Sequence, residues 1–219
     1  SAAFVNGVFY NGGLSVHNGS IQMNSCIIRE CQGDDGINFK NSTVQIRNCS
    51  FIDNKSDHVD LDFCSALVDS NNFINNDSQN TGDAIDLSGS MVILKNNELT
   101  RSGDKAISVG EESKVIISHN TISSSKTGIA VKDSSKALIS HNTFISNSTN
   151  LSCYMKKGIF EGGSAYLHAN TNLPSSSIQL DHLSDYFKLS SFDSDSINTE
   201  EDKIKQTINT VFQSINLNF

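Results

Sequence analysis

Asp60, Asp62 and Asp86 are the residues whose types and spacing could most directly do chemistry. Asp60 and Asp62 lie two apart in Val59-Asp-Leu-Asp62, and Asp86 falls 26 positions further on in Ile85-Asp-Leu-Ser88. Residues two apart on a strand point the same way. If the two segments are neighbouring strands, Asp60 and Asp86 stack about 5 Å apart. Carboxylates that close raise one another's pKa or recruit a cation. Strands disfavour aspartate, and stacked aspartates repel, so a purely structural sheet has little reason to hold three. Hard oxygen donors in a loose cluster suit Ca²⁺. A cation held by Asp60, Asp62 and Asp86 could neutralise a uronate carboxylate while Lys105 or Lys132 takes the proton α to it, the chemistry of a polysaccharide lyase or epimerase. Alternatively, Asp60 and Asp86 could act as general acid and base in glycoside hydrolysis, their stacked spacing nearer the retaining than the inverting geometry. His58, Asp62, Ser88 and Glu111 are the candidate substrate-binding groups beside them. The bland alternative is a face of Asp, Ser and Lys that only keeps the molecule soluble.

These residues need a scaffold that stacks them, and the sequence supplies one. A phrase of apolar, polar, Asn or Cys, any residue, apolar recurs as Met23-Asn-Ser-Cys26-Ile-Ile28, Ile46-Arg-Asn-Cys49-Ser-Phe51, Val68-Asp-Ser-Asn71-Asn-Phe73, Leu94-Lys-Asn-Asn97-Glu-Leu99, Ile117-Ser-His-Asn120-Thr-Ile122 and Ile139-Ser-His-Asn142-Thr-Phe144. Its Cys/Asn positions are 23, 22, 26, 23 and 22 residues apart. A second phrase keeps step: Ile37-Asn-Phe39, Val59-Asp-Leu61, Ile85-Asp-Leu87, Ile107-Ser-Val109 and Ile129-Ala-Val131, extended backward by Leu14-Ser-Val16 and forward by Leu151-Ser-Cys153. Alternation with period two marks strands. Two apolar columns locked to one long period mean stacked coils, each burying a stripe against its neighbours. The expectation is a parallel β-helix of about seven coils. Asn71, Asn97, Asn120 and Asn142 then form an internal ladder, with Cys26 and Cys49 in the same column. His119 and His141 sit beside ladder asparagines, and repeat identity explains them better than metal binding.

The outward columns run Ser15, Asn38, Asp60, Asp86, Ser108, Ala130 and His17, Lys40, Asp62, Ser88, Gly110, Lys132, with His58 one position earlier. Asp35, Asp57, Asp83, Asp104, Lys105, Glu111, Glu112 and Asp133 fall on the flanking turns. The longest coil carries an Asn/Asp/Ser/Gln-rich stretch from Asn72 to Thr81 that reads as a surface loop bordering any site. The pattern weakens after Asn142. Ser164–Asn170 reads as one further coil, and residues 172–197, with the only proline (Pro174), as an irregular connection. Asn198-Thr-Glu-Glu201 is a capping box. Ile204, Ile208, Val211, Phe212 and Ile215 form one face of a helix, expected over residues 198–216 and over the open end of the solenoid, whose strand edges need covering. The domains are then 1–171 β-helix, 172–197 connection and 198–216 capping helix.

Composition narrows the function. The 219 residues carry a net charge of −8 and a pI of about 5.1, with no basic stripe, so nucleic acid is not an expected partner. No stretch is apolar enough to span a membrane. The chain starts at Ser1 without a signal peptide and reads as a processed or excised piece. Cys26, Cys31, Cys49, Cys64 and Cys153 show no CxxC pair and read as small buried hydrophobes rather than zinc ligands. Sequons such as Asn41-Ser-Thr43 and Asn147-Ser-Thr149 are what chance yields in a chain this rich in Asn and Ser.

The ladder phrase, over roughly residues 4–170, resembles the pectin-lyase-like superfamily of right-handed parallel β-helices. More narrowly, Val59-Asp-Leu-Asp62, Gly82-Asp-Ala-Ile-Asp-Leu-Ser-Gly-Ser90, Gly103-Asp-Lys-Ala-Ile-Ser-Val-Gly-Glu111 and Gly128-Ile-Ala-Val-Lys-Asp133 resemble secreted bacterial β-helix domains. The resemblance implies polysaccharide binding, lysis, hydrolysis or epimerisation on an outer sheet, and an extracellular or cell-surface setting. It transfers no catalytic residue. The arginine base of pectate lyases has no counterpart, since Arg29, Arg47 and Arg101 lie off the acidic face, and the Asn-Thr-Asp and Gly-His-Gly signatures of polygalacturonases are missing. A non-catalytic surface or adhesion module is the alternative. Ice binding is disfavoured because the flat sheets lack a Thr-x-Thr array.

Overall fold

A computed structural model describes residues 3–5, 8–10, 12–76, 81–193 and 197–216. After a short antiparallel pair, Ala3–Val5 with Val8–Tyr10, the chain winds into a right-handed parallel β-solenoid of about eight coils. Three sheets run its length. The front sheet has eight strands, beginning with Gly12–His17, Asp35–Lys40, Asp57–Asp62 and Ile85–Ser88 and continuing through Lys105–Gly110, Thr127–Lys132, Thr149–Tyr154 and Ile178–Leu180. A second eight-stranded sheet runs from Ser20–Asn24 to Asp185–Lys188, and a narrow six-stranded sheet from Ile27–Arg29 to Thr143–Ile145.

The register is the one the apolar columns require. Leu14, Ile37, Val59, Ile85, Ile107, Ile129 and Leu151 pair in succession. Ile28, Phe51, Phe73, Leu99, Ile122 and Phe144 do likewise in the narrow sheet. Both columns face a single core, in which the Phe51 and Phe73 rings stack with centroids 4.8 Å apart.

The asparagine ladder closes the bend between the second and narrow sheets. Each Oδ1 of Asn97, Asn120 and Asn142 accepts from the backbone N–H and the Nδ2 of the asparagine one coil before, at 2.9–3.0 Å. Asn170 extends the ladder by a coil, and Cys49 and Cys26 replace asparagine at its start. All five cysteines are free, and Cys49, Cys64 and Cys153 lie buried in the core.

The corners explain the Asn, Ser and Asp content. One is turned by Ser25, Asn48, Ser70, Asn96, His119 and His141, each with φ between 53° and 59°. Short polar side chains and glycine tolerate this left-handed conformation best. His119 and His141 are therefore corner residues, and their rings stack 5.0 Å apart.

Several expectations need correction, beginning with the coils, which number about eight rather than seven. The segment 172–197 is not irregular throughout: Ile178–Leu180 and Asp185–Lys188 add a strand to each long sheet. The step from Leu151 to Ile178 is 27 residues, which hid the period. The helix, Ile204–Asn216, does not close the solenoid's end. It lies along the outer face of the second sheet, where Ile204, Ile208, Phe212 and Ile215 bury Leu67, Ile93, Ile116 and Leu138. Those four are the middle residues of strands apolar on both faces, such as Val92-Ile-Leu94, and an apolar outer face needs a cover. The helix starts through a single 3-10 turn at Glu201–Lys203, with Asn198 Oδ1 accepting from the Glu200 N–H at 2.9 Å rather than at the third residue on. In the 26-residue coil between Asn71 and Asn97, residues 77–80 of the expected loop lie outside the described residues. Its first residues are not loop: Asn72–Ile74 is a strand of the narrow sheet, paired with Ser50–Ile52 and Glu98–Thr100.

Candidate functional site on the front sheet

The second sheet's outer face is covered by the helix, whereas the front sheet carries the acidic columns on its outer face. Asn38, Asp60, Asp86 and Ser108 are in register across four strands, and so are Lys40, Asp62, Ser88 and Gly110. Asp60, Asp62 and Asp86 thus share one face, as the spacing requires.

His58 does not join them. It is 1% exposed and turned inward, its Nδ1 2.7 Å from Asn54 Nδ2 and its ring tilted against Phe51 and Phe73. Alternation holds from Val59 onward but breaks at the corner before it, so His58 enters the core and Asp57 takes the outer side. Burial pulls the His58 pKa down to about 4, so it is a neutral core group and not a substrate ligand.

The same break brings a further row of carboxylates to the face. Asp35 and Asp57 are strand partners. Asp83 follows one coil on, and its N–H donates to Asp57 Oδ1 at 2.7 Å. Among the described residues, the carboxylates whose oxygens converge within 4.8 Å of one another are Asp57, Asp83 and Asp86. The expected cation ligands were Asp60, Asp62 and Asp86, and only Asp86 belongs to both sets. Oxygens on opposite sides of a Ca²⁺ at 2.3–2.6 Å lie up to about 5 Å apart, so the converging trio fits that ion.

The electrostatics fit a cation as well. Burial, followed by the charges of Asp62, Asp35 and Asp86, pushes the Asp60 carboxyl up to about 9. The Asn38 amide donates to Asp60 Oδ2 at 2.6 Å and partly opposes the rise. Burial pushes Asp57 and Asp35 up to about 7, Asp83 adding to the first and Asp34 to the second. Without a cation these carboxyls keep protons that isolated aspartates would have released.

The lysines are tied down. Lys105 lies 3.4 Å from Asp83 Oδ1 and also bonds Asp104. Burial alone would lower its pKa, but Asp83 and Asp104 outweigh that and hold it above its usual range. It is thus a charge partner of the acidic row and unsuited to be a base at neutral pH. Lys132 crosses Gly110 with 7% of its side chain exposed and ends 3.8 Å from Asp86 Oδ1. A Cβ on Gly110 would stand 2.9 Å from Lys132 Cε, so the glycine makes room for the lysine stem. Gly110→Ala is expected to lift Lys132 off Asp86 and raise its acylation rate several-fold, read by mass spectrometry against the other lysines. An unchanged rate would show that the stem does not depend on the glycine.

Ser88 donates to Glu111 Oε1 at 3.2 Å, and Lys157 pairs with Glu111. Lys157 belongs to the loop between Tyr154 and Ser164, which Asp133 anchors by accepting from the Lys156 and Lys157 N–H groups at 2.7 and 2.8 Å. This loop walls the face at the Glu111 end. Its only sequence signal was the long gap between Tyr154 and the following apolar strand. Among the described residues, no helix is long and apolar enough to cross a membrane.

The family described as "Right handed beta helix region" matches residues 35–173. No curated protein matches the chain. Among solved structures, an alginate lyase from Paenibacillus sp. str. FPU-7 is 12% identical, with 77% of this chain and 76% of that one covered at a TM-score of 0.44. QnrB1, a plasmid-mediated fluoroquinolone resistance protein, is 11% identical, with 78% and 91% covered at a TM-score of 0.23.

Proposed function

The chain belongs to the right-handed β-helix family, and from that premise we propose that its front sheet is a calcium-dependent binding face for an anionic polysaccharide. The observation that carries this reading is the convergence of Asp57, Asp83 and Asp86 oxygens within 4.8 Å where the chain enters the front sheet. Against Asp35, Asp57, Asp60, Asp62, Asp83 and Asp86 stand the cations Lys40, Lys105 and Lys132, each paired with one of them. Such a face repels a polyanion until a divalent cation bridges the two. Asp57, Asp83 and Asp86 hold the cation, and its open coordination positions take a uronate carboxylate. Asp62, Ser88 and Glu111 offer acceptors and a hydroxyl to neighbouring sugar hydroxyls. Loose oxygen clusters of this kind bind Ca²⁺ at extracellular concentrations, which agrees with a setting outside the cell or on its surface.

One observation favours a second, hydrolytic reading. Asp60 keeps its proton at neutral pH, as a general acid must, with Asp86 on the neighbouring strand as its partner. The lyase route is less well supported, because Lys105 and Lys132 are both engaged by carboxylates.

Affinity electrophoresis through gels containing polygalacturonate, alginate or xylan, with Ca²⁺ or with a chelator, tests the reading. The expected result is retardation by at least one uronate polymer in Ca²⁺, lost in chelator and lost in Asp57→Asn/Asp86→Asn. Retardation by none of the three would overturn it. New reducing ends without unsaturated products in the same mixtures, abolished by Asp60→Asn, would establish the hydrolytic reading, and the absence of new reducing ends would leave a binding module.

A further inference from the structure

Phe63 departs from the logic of its own corner. The turn out of the front sheet is made in successive coils by Asn18, Asn41, Phe63, Gly89, Glu111 and Asp133, all with φ between 50° and 59°. Five are glycine or polar residues. The sixth is a bulky aromatic, for which a left-handed backbone is strained. It also leaves an apolar ring in water, since Phe63 is 55% exposed.

The neighbourhood accommodates that ring. Gly89, the corner residue one coil on, has φ +59°, and a Cβ there would meet Phe63 Cδ1 at 2.5 Å. The ring therefore lies against a residue without a side chain and stays more than half exposed. Lys40 Nζ sits 5.9 Å from the ring centroid and 3.3 Å from Asp62 Oδ2. An apolar plate thus borders the acidic face directly, with the Lys40 ammonium over it and the Asp62 carboxylate paired to that ammonium.

We propose that Phe63 is the sugar-stacking platform of the front sheet, taking the apolar face of a pyranose ring while Lys40 and Asp62 bind that sugar's carboxylate and hydroxyl groups. This rests on the glycan reading above and sharpens it. The substrate class is a pyranose polymer bearing carboxylates, one residue of which lies over the Phe63 corner while another reaches the carboxylate trio. An apolar ring beside a paired cation and carboxylate matches such a sugar, because pyranose C–H groups gather on one face and hydroxyls at the rim.

Phe63→Asn separates a binding role from a structural one. Asparagine suits the left-handed corner, so the melting temperature stays level or rises, and Ca²⁺ uptake followed by Tb³⁺ luminescence is unchanged. Retardation in the uronate gel that retains the wild type falls at least tenfold, and Phe63→Tyr restores it. Full retardation of Phe63→Asn, beside a retarded wild type, overturns the platform and leaves the glycan reading intact. A fall in the melting temperature of Phe63→Asn, with retardation lost in Phe63→Asn and in Phe63→Tyr alike, assigns the ring a packing role and also overturns it. A wild type retarded by no gel overturns both.

Discussion

In chelator, the protein is expected to lose about 4–8 °C of melting temperature between pH 6.5 and 9, and Ca²⁺ is expected to restore it. The cause is the carboxyl row of the front sheet. Unfolded aspartates titrate near 3.9, whereas Asp35 and Asp57 are held up to about 7 and Asp60 up to about 9. Between those limits the folded chain holds protons that the unfolded chain has released. Stability from these groups is complete below about pH 4 and drains away as pH rises through 7 and then 9. His58 works in the opposite sense. Its folded pKa of about 4 lies below the unfolded value of 6.5, so its contribution is present above 6.5 and lost as pH falls through 4. Above pH 6.5 His58 no longer offsets the carboxyls, and burial of the Cys49, Cys64 and Cys153 thiols adds to the decline only as pH nears 9. With solvent screening of the partly exposed Asp60 discounted, the loss is about 2 kcal/mol, which corresponds to the stated shift for a chain of this size. Ca²⁺ competes with protons for the Asp57 oxygens, and its charge favours the ionised forms of neighbouring Asp35 and Asp60, so its stabilising effect should grow with pH. Calorimetric scans from pH 5 to 9, with and without Ca²⁺, read both effects. Asp60→Asn, which keeps the shape and removes the most perturbed carboxyl, should flatten most of the decline. A melting temperature independent of pH in chelator would show that the row carries no stored protons.

The parts legible in sequence were those governed by translation along the solenoid axis. A coil repeat fixes which residues stack, so Ile85 over Val59 and Asp86 over Asp60 followed from spacing alone. The parts that stayed hidden are governed by the corners, where period-two parity fails. His58 has the parity of Asp60 and Asp62, yet the bend before Val59 sends it inward and puts Asp57 outside. The cation ligands shifted for the same reason: Asp57 and Asp83 read as flanking turn residues, and a turn's side-chain direction is not set by alternation. The helix position was recoverable from unbroken apolar triplets such as Val115-Ile-Ile117, whose central residue had no inward place. The partnership of Lys132 with Asp86 was not, because it spans two coils and depends on Gly110 leaving a channel between them.

The ladder allows a sharper test of what holds the coils in register. Asn120 is expected to be among the costliest single positions in the chain, with Asn120→Ala losing about 3–5 kcal/mol. Its Oδ1 accepts from the Asn97 N–H and Nδ2, both at 2.9 Å, and its Nδ2 donates to Leu94 O, Ser118 O and Asn142 Oδ1 at 2.9–3.1 Å. Truncation leaves the buried Asn97 N–H without an acceptor and the Leu94 carbonyl without its donor, and each such group costs about 1–3 kcal/mol. The first two coils show what the column tolerates instead: the Cys49 sulfur accepts from the Cys26 N–H at 3.4 Å and donates to the Arg47 carbonyl at 3.1 Å. Asn120→Cys should therefore fall between wild type and Asn120→Ala in urea denaturation. Because each coil contacts only its neighbours, hydrogen exchange in Asn120→Ala should speed up first at the amides of Asn97 and Thr121, while those of the first two coils keep their protection. Equal destabilisation by Cys and Ala would mean that the column works by packing volume, and the hydrogen-bonded ladder would lose its role in setting the register that aligns Asp57, Asp83 and Asp86.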